Sequence, residues 1–393
     1  MSKLDELIAE LCPNGVKYVP LEKVCDISKG VQFNKADMQD VGTYPVINGG
    51  INPSGYIEQY NQGRDTITIS QGGASAGYVN WIETDFWAGA HCYVLKPGSS
   101  ILNRYLFHFV KGQEKKLQEC QYGAGIPALG KTTVAGLSIP VPPIEVQREI
   151  VRVLDNFTEL TAELTAELTA RKKQYEHYRG KLLSFDETVP KKKLGSTCEM
   201  KAGKSISSDL ISSVESSDTP IKCYGGNGVR GYVKEANQHG EFPLIGRQGA
   251  LCGNVNYAVG DFYATEHAVV VASQGDYTQR FLYHLLTHMD LNQYKSAGAQ
   301  PGLSVKNLQE IMAPVPPLHL QDRIVDVLDN FEAICSDLNV GLPGEIDARQ
   351  KQYEYYRDLL LTFVETGSTI SQTDRQTDRQ TDRQTDRQTD KLK

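Results

Sequence analysis

Two long stretches of the chain carry apolar residues at helical spacing, and they are close copies of each other. In the first, Ile150, Leu154, Phe157, Leu160, Leu164 and Leu168 lead on to Tyr175, Tyr178 and Leu182, the recurrence of an amphipathic helix. No Gly or Pro interrupts it from Ile144 to Arg179. It predicts a rod of roughly 60 Å at ~1.5 Å per residue, far beyond the usual ~11–12-residue helix. The entrance, Pro140-Val-Pro-Pro-Ile-Glu-Val-Gln147 followed by Val153-Leu-Asp-Asn-Phe157, recurs as Pro314-Val-Pro-Pro-Leu-His-Leu-Gln321 followed by Val327-Leu-Asp-Asn-Phe331. The exit recurs too: Ala170-Arg-Lys-Lys-Gln-Tyr175 through Arg179 matches Ala348-Arg-Gln-Lys-Gln-Tyr353 through Arg357. A single core helix of a large domain would be neither this long nor written twice. Such a stripe needs cover, and the second copy is the natural partner. Ile150, Leu154, Phe157, Leu164, Leu168, Tyr175 and Tyr178, with Ile324, Leu328, Phe331, Tyr353 and Tyr356, are therefore the expected helix or subunit interface.

Within the first rod, Thr161-Ala-Glu-Leu164 and Thr165-Ala-Glu-Leu168 form a smaller repeat. Each unit adds ~6 Å and exceeds one turn by about 40°, so the tract is a ruler with a twist. The second rod has Gly341-Leu-Pro-Gly344 instead, which should break or kink it.

Before each rod lies a domain of short strands. Tyr44-Pro-Val-Ile47, Thr66-Ile-Thr-Ile-Ser70 and Cys92-Tyr-Val-Leu95 alternate or are β-rich, with Gly/Asn/Pro turns between; Asn103 to Gln118 reads as an amphipathic helix. The second domain shadows the first loosely: Gln248-Gly249 echoes Gln71-Gly72, Val255-Asn-Tyr257 echoes Val79-Asn-Trp81, and Phe262-Tyr263 with His267 echoes Phe86-Trp87 with His91. Ala299-Gln-Pro-Gly-Leu303 echoes Gly125-Ile-Pro-Ala-Leu129 in the same way. The expected plan is thus α+β: residues 1–143 a first domain, 144–185 a central helix, 186–317 a second domain, 318–366 a distal helix and 367–393 a low-complexity tail. Similar frames with divergent loops suggest two readers of different targets.

Composition narrows the class. Met1 to Leu11 is amphipathic and acidic, unlike a signal peptide, and no run approaches ~20 apolar residues. The eight cysteines make no Cys-x-x-Cys pair and no zinc spacing, which fits reduced thiols in a cytoplasmic protein. A net charge of −7 argues on its own against nucleic acid, although local basic patches matter more than the sum. No Asn/Asp-Pro-Pro-aromatic tetrapeptide is present, and Ala202-Gly-Lys-Ser205 fails as a phosphate loop because Cys198 stands where the first glycine belongs. His91 and His267 have neither metal nor nucleophile spacing; they are structural members of a shared frame or contacts to a ligand.

At the entrances, the tetrapeptide tract and the exits, the chain resembles the specificity subunit of type I restriction–modification enzymes, of the branch with Thr-Ala-Glu-Leu repeats in its central helix. The resemblance covers about residues 15–365; it is specific at the rods, and the domains match in layout. It implies two target-recognition domains, related by a pseudo-twofold internal duplication and separated by two long antiparallel helices. These would read the halves of a bipartite double-stranded DNA site. It also implies two modification subunits that methylate adenine with S-adenosylmethionine, and restriction/translocase subunits that use ATP and Mg. This chain itself would then hold no cofactor and no catalytic residue. A stand-alone coiled-coil adaptor is the alternative; it explains the rods but not two divergent loop-rich domains.

Base readout calls for paired donors and acceptors, Arg for guanine and Asn/Gln for adenine, and phosphate contacts for Lys, Ser or bare N–H groups. Lys29, Gln32, Asn34, Lys35, Asn48, Ser70, Gln71 and His91 meet that demand in the first domain, and Lys201, Lys204, Ser205, Tyr224, Arg247, Gln248 and His267 in the second. Solvated polar turns remain the alternative for any one of them. Matched residues (Gln71 with Gln248, His91 with His267) should hold architecture or phosphates. Mismatched ones (Ser70 against Arg247, Asn48 against Tyr224) should carry sequence choice.

The Thr-Asp-Arg-Gln units from Thr373 to Gln388 contain no apolar residue and predict disorder. A pure ACAG tetranucleotide repeat would encode them, so the tract is expected to be slippage-prone. Constant length with mixed synonymous codons among single colonies would contradict that.

Overall fold

The computed structural model describes residues 2–123, 125–249, 251–296, 302–338 and 341–366; the Thr-Asp-Arg-Gln tail lies outside the described residues. The chain divides into two compact units. One comprises Met1–Glu163 with the segment from Asp347, the other Leu164–Ile346.

The first unit begins with α1 (Lys3–Leu11), capped by Ser2, whose hydroxyl accepts from Asp5 N–H while the Asp5 carboxylate accepts from Ser2 N–H. Strands β1 (Tyr18–Pro20), β2 (Cys25–Lys29), β3 (Tyr44–Ile47), β4 (Tyr56–Ile57), β5 (Thr66–Ser70), β6 (Val79–Ile82), β7 (Trp87–Ala88) and β8 (Cys92–Pro97) follow. Helices α2 (Asn103–Gly112), α3 (Glu114–Glu119) and α4 (Lys131–Ala135), β9 (Ser138–Pro140) and α5 (Ile144–Leu183) complete the first copy. The helix expected over Asn103–Gln118 is thus two, parted at Gln113. The sheets run β2-β8-β5-β6, β4-β3-β7 and β1-β9. Alternation decides which face is covered: in β2, Cys25 and Ile27 turn inward and Asp26 outward. Ile67, Ile69 and Leu95 from the sheet meet Tyr105, Leu106 and Val110 of α2 in one core. Ile150 and Leu154 of α5 join it, both fully buried, together with Tyr353, Leu361 and Phe363 from the second copy.

The second unit repeats this plan with β10 (Lys191–Lys193), α6 (Leu194–Thr197), β11 (Cys198–Ala202), β12 (Ile221–Gly225), β13 (Gly228–Val233), β14 (Gln238–Gly246), β15 (Val255–Ala264) and β16 (Ala268–Ser273). Then come α7 (Gln279–His288), α8 (Val305–Gln309), β17 (Met312–Pro314) and α9 (Leu318–Ser336). Strand β15 runs unbroken where the first domain has β6 and β7. One six-stranded sheet, β11-β16-β14-β15-β12-β13, therefore replaces two. Leu183 from the end of α5, with Ile324 and Leu328 of α9, closes its core.

The central helix runs over 40 residues, as its uninterrupted stripe predicted. The distal stretch is not one helix: α9 ends at Ser336 and α10 (Leu342–Leu360) starts afresh. A Cβ on Gly341 would lie 2.5 Å from the Ala333 carbonyl oxygen and 2.6 Å from that of Asp337, so only glycine fits this corner. Pro343 falls in the first turn of α10, where a missing N–H costs nothing.

Each helix entrance is fastened by one buried glutamine. The Gln147 carbonyl accepts from Leu102 N–H (2.8 Å), and its amide donates to Ser100 C=O (3.0 Å) and Pro142 C=O (2.8 Å). Gln321 does the same with Thr278 N–H (2.9 Å), Asp276 C=O (2.9 Å) and Pro316 C=O (2.8 Å). Two turns on, Asp155 accepts from Arg104 (2.7 Å) and from His108 Nε2 (2.8 Å), as Asp329 accepts from Arg280 (2.8 Å) and His284 Nε2 (2.7 Å). Burial pushes both histidines below their ordinary pKa despite the carboxylate beside each. A neutral His108 that donates from Nε2 must accept at Nδ1, so the Tyr353 hydroxyl donates to it at 2.9 Å.

Aromatic residues of the two copies meet inside each unit. Phe157 stacks on Tyr356 with centroids 5.3 Å apart in the first, and Tyr178 on Phe331 at 5.5 Å with Tyr175 beside it in the second. Leu164 and Leu168 are half-buried.

Candidate nucleic-acid interface

The polar, glycine-rich loops beyond β5 and β14 share one hydrogen-bonded frame. In the first domain, Gln71 N–H donates to His91 C=O (2.8 Å), and Leu129 N–H donates to Gln71 C=O (2.7 Å). In the second, Arg247 N–H donates to His267 C=O (3.0 Å), and Leu303 N–H to Arg247 C=O (2.9 Å). Gly72 bridges Ala128 as Gln248 bridges Gly302. Asn61 exchanges both amide hydrogen bonds with Ala88 (3.1 and 2.7 Å), as Asn237 does with Ala264 (2.9 and 2.8 Å).

This frame corrects the pairing expected from the letters. The counterpart of Gln71 is Arg247, not Gln248, and Gln248 stands opposite Gly72. Ser70 matches Gly246, since Gly77 N–H donates to Ser70 C=O and Gly253 N–H to Gly246 C=O. Tyr224 matches Ile47 and not the expected Asn48: Gly89 N–H donates to Ile47 C=O and Thr265 N–H to Tyr224 C=O. Gly49 and Gly226 then coincide, each packed on the carbonyl of its own His91 or His267.

Two expected contacts are withdrawn into the interior. Ser70, 5% exposed, is the inward-facing last residue of its strand, and Tyr224, 8% exposed, packs its ring edge-on against Phe262. Asn48 is a brace: its carbonyl accepts from His91 N–H at 3.1 Å, a part played for His267 by the Thr265 hydroxyl at 3.4 Å. Lys29 ends β2 and Gln32, Asn34 and Lys35 follow it, all exposed; Lys201 lies near the end of β11 and Lys204 and Ser205 follow it, also exposed. Within that set, Asn34 caps Ala36 N–H (3.3 Å), Lys29 lies 5.9 Å from the Tyr93 ring and Lys201 is paired with Glu199. Among the described residues Lys29, Lys35 and Lys204 of that set make no ion pair, and Lys35 and Lys204 have no ring contact either.

Beside Arg247 the second domain opens a cleft of about 880 Å³, lined by Gly225, Gly226, Arg247, Gln248, His267 and Ser304 among others. Arg247 Nε and His267 Nδ1 are enclosed there without a partner among the described residues; His267 Nε2 faces Glu266 at 3.2 Å. His91 is exposed.

His284, Asp329 and Glu332 converge closely enough to hold a metal ion. Arg280 already pairs with both carboxylates and Tyr283 donates to Glu332, so this is a closed ion-pair network. Burial pushes the thiols of Cys25 and Cys92 up to about 12, far from nucleophilic use. Among the described residues no helix is long and apolar enough to cross a membrane.

The profile of the type I restriction modification DNA specificity domain matches the chain twice, over residues 13–171 and 186–348. The Escherichia coli type I restriction enzyme EcoprrI specificity subunit is 50% identical over 206 residues, spanning 51% of each protein. A putative type I restriction enzyme specificity subunit of Haemophilus influenzae is 31% identical over 381 residues, or 88% of this chain and 96% of that one. Among solved structures, the type I restriction–modification S subunit from M. genitalium superposes with a TM-score of 0.60 at 22% identity, over 88% of this chain and 95% of that one; this likeness speaks to the fold.

Proposed function

Since the chain belongs to the type I restriction–modification DNA specificity family, it serves as the specificity subunit of such a system, and we propose that each domain reads one half of a split, asymmetric site in double-stranded DNA. One observation supports this above the rest. The same backbone frame is built twice, yet it presents Gln71 and Gly72 in one domain and Arg247 and Gln248 in the other. A frame that is kept while its displayed side chains differ suits two readers of unlike sequences. The exposed turns with Lys35 and Lys204 would seat the phosphates, which position a protein on DNA without choosing its sequence. The long helices would set the spacer and dock two modification subunits, with restriction/translocase subunits joining through the complex. S-adenosylmethionine, ATP and Mg would belong to those partners. The adaptor alternative is not favoured, because it leaves two matched recognition domains without a use.

The test is to map methylated adenines by single-molecule sequencing in cells carrying this gene with its partner genes, before and after exchanging residues 15–143 for another such domain. A split motif that changes in one half alone is expected. A motif that is not split, or that changes in both halves, would refute the reading.

A further inference from the structure

The shared frame gives each displayed residue a defined counterpart. Gln71 and Arg247 are each the first residue beyond the matching strands, β5 and β14. The backbone N–H of each is given to the matching histidine carbonyl, and each C=O accepts from the matching leucine N–H. With the main chain engaged identically, the side chain is what distinguishes the two positions. Neither side chain is engaged among the described residues. Arg247 lines the cleft of about 880 Å³ with its Nε enclosed and unpartnered, and the half-buried Gln71 amide has no partner of its own. Enclosed donors are nearly always satisfied in native proteins, and among the described residues that of Arg247 at the wall of the cleft is not.

Resting on the reading of each domain as a half-site reader, we infer that Gln71 and Arg247 are the equivalent base-choosing residues of the two domains. Arg247 takes a guanine through O6 and N7, and Gln71 takes an adenine through N6 and N7. A guanidinium offers two parallel donors that match the guanine pair of acceptors, whereas a carboxamide offers the donor and acceptor that adenine requires. Gln248, exposed beside Arg247, stands where the first domain has Gly72. The second domain therefore holds an extra amide at the same rim.

The experiment uses the full chain co-expressed with its partner modification subunits, reading the methylated motif and the binding of oligonucleotides with each base at each half-site position. Arg247→Gln should move one position of one half-site from guanine toward adenine and leave the other half-site untouched. Discrimination at that position should change by roughly 5- to 150-fold, the worth of a bidentate base contact. Gln71→Arg should do the reverse in the other half-site. If Arg247→Gln abolishes methylation outright, Gln71→Arg decides by the same readout. Uniform weakening on all sequences with the preferred bases unchanged would overturn the inference, because it is the behaviour of a phosphate contact. So would an unaltered motif in both variants. A wild-type motif that is split keeps the half-site reading standing in either case; a wild-type motif that is not split removes that reading itself.

Discussion

Replacing Gln147 by methionine keeps the length and nearly the volume of the side chain and deletes three hydrogen bonds at once. Of its partners, Ser100 is exposed, so its carbonyl rewets at little cost. The Leu102 N–H is half-buried and the Pro142 C=O buried, and each loses about 1–3 kcal/mol when left unsatisfied. Burying a thioether in place of an amide returns about 1 kcal/mol. The net loss is about 3 kcal/mol, a large part of the ~5–15 kcal/mol that holds a domain together. Trp81 and Trp87, the two tryptophans of the chain, both lie in the first unit, so their fluorescence reports the unit that contains the lesion. With a urea slope of ~3 kcal/mol/M, the midpoint of the purified chain should fall by about 1 M. Gln321→Met, the matched lesion in the second unit, should cost a similar amount by far-ultraviolet circular dichroism. A Gln147→Met midpoint within about 0.3 M of the parent, at unchanged slope, would show that the buried amide is not what fastens the helix entrance.

Inserting one further Thr-Ala-Glu-Leu unit after Leu168 lengthens the helix by ~6 Å, against ~3.4 Å per base pair. The methylated motif should gain one or two spacer base pairs with both half-sites unchanged, and altered half-sites at constant spacing would contradict the ruler. Acid should also unfold the chain from the helix entrances. Burial depresses His108 and His284 below their ordinary range. Burial alone would raise Asp155, but the hydrogen bonds from His108 and Arg104 outweigh it and hold the carboxyl below its ordinary range. For all three the unfolded chain takes up its proton at a higher pH than the folded one. Stability is therefore full above the ordinary histidine range, falls as pH drops through it, and falls again through the carboxylate range. Urea midpoints measured from pH 7.5 to 4 check this, and a midpoint that is flat below pH 7 would show the two histidines to be charged in the fold.

The rods were legible because their apolar period and their duplication say the same thing twice. Ile150, Leu154, Ile324 and Leu328 are buried where that period puts them. Gln147 and Asp155 stood in the repeated motif as well, but their purpose could not be read there. Their partners, Ser100, Leu102, Arg104 and His108, lie some 45–51 residues upstream in the chain, and no local pattern joins them. The candidate DNA contacts were misaligned for a different reason. The offset between the copies is 177 residues from Gly49 to Gly226 but 176 from Gln71 to Arg247, so a residue drops out between those strands. The identical letters Gln-Gly at Gln71 and Gln248 hid the step. Ser70 and Tyr224 were lost for another reason: their strands are covered on both faces at that point, so Ile69 and Cys223 beside them are buried as well.

Duplication has a further physical consequence in the way the units are made up. The first unit takes its domain and helix entrance from the first copy but closes its core with Tyr353, Leu361 and Phe363 of the second. The second unit does the converse, closing on Tyr175, Leu183 and Phe185 of the first. In the first, the Tyr18 hydroxyl donates to Phe363 C=O (3.2 Å) and accepts from Phe363 N–H (3.0 Å), so the returning segment is also fastened through its backbone. One copy by itself therefore carries a domain without its closing segment and a closing segment without its domain. The apolar faces of both would stand open to water, at about 25 cal/mol for each Å² left uncovered. That mutual dependence keeps the exit sequences alike, since both must fit the same kind of core, while nothing in it constrains the loops after β5 and β14. On the proposed reading, a change of specificity at Gln71 or Arg247 would therefore leave the buried residues that close the two cores untouched.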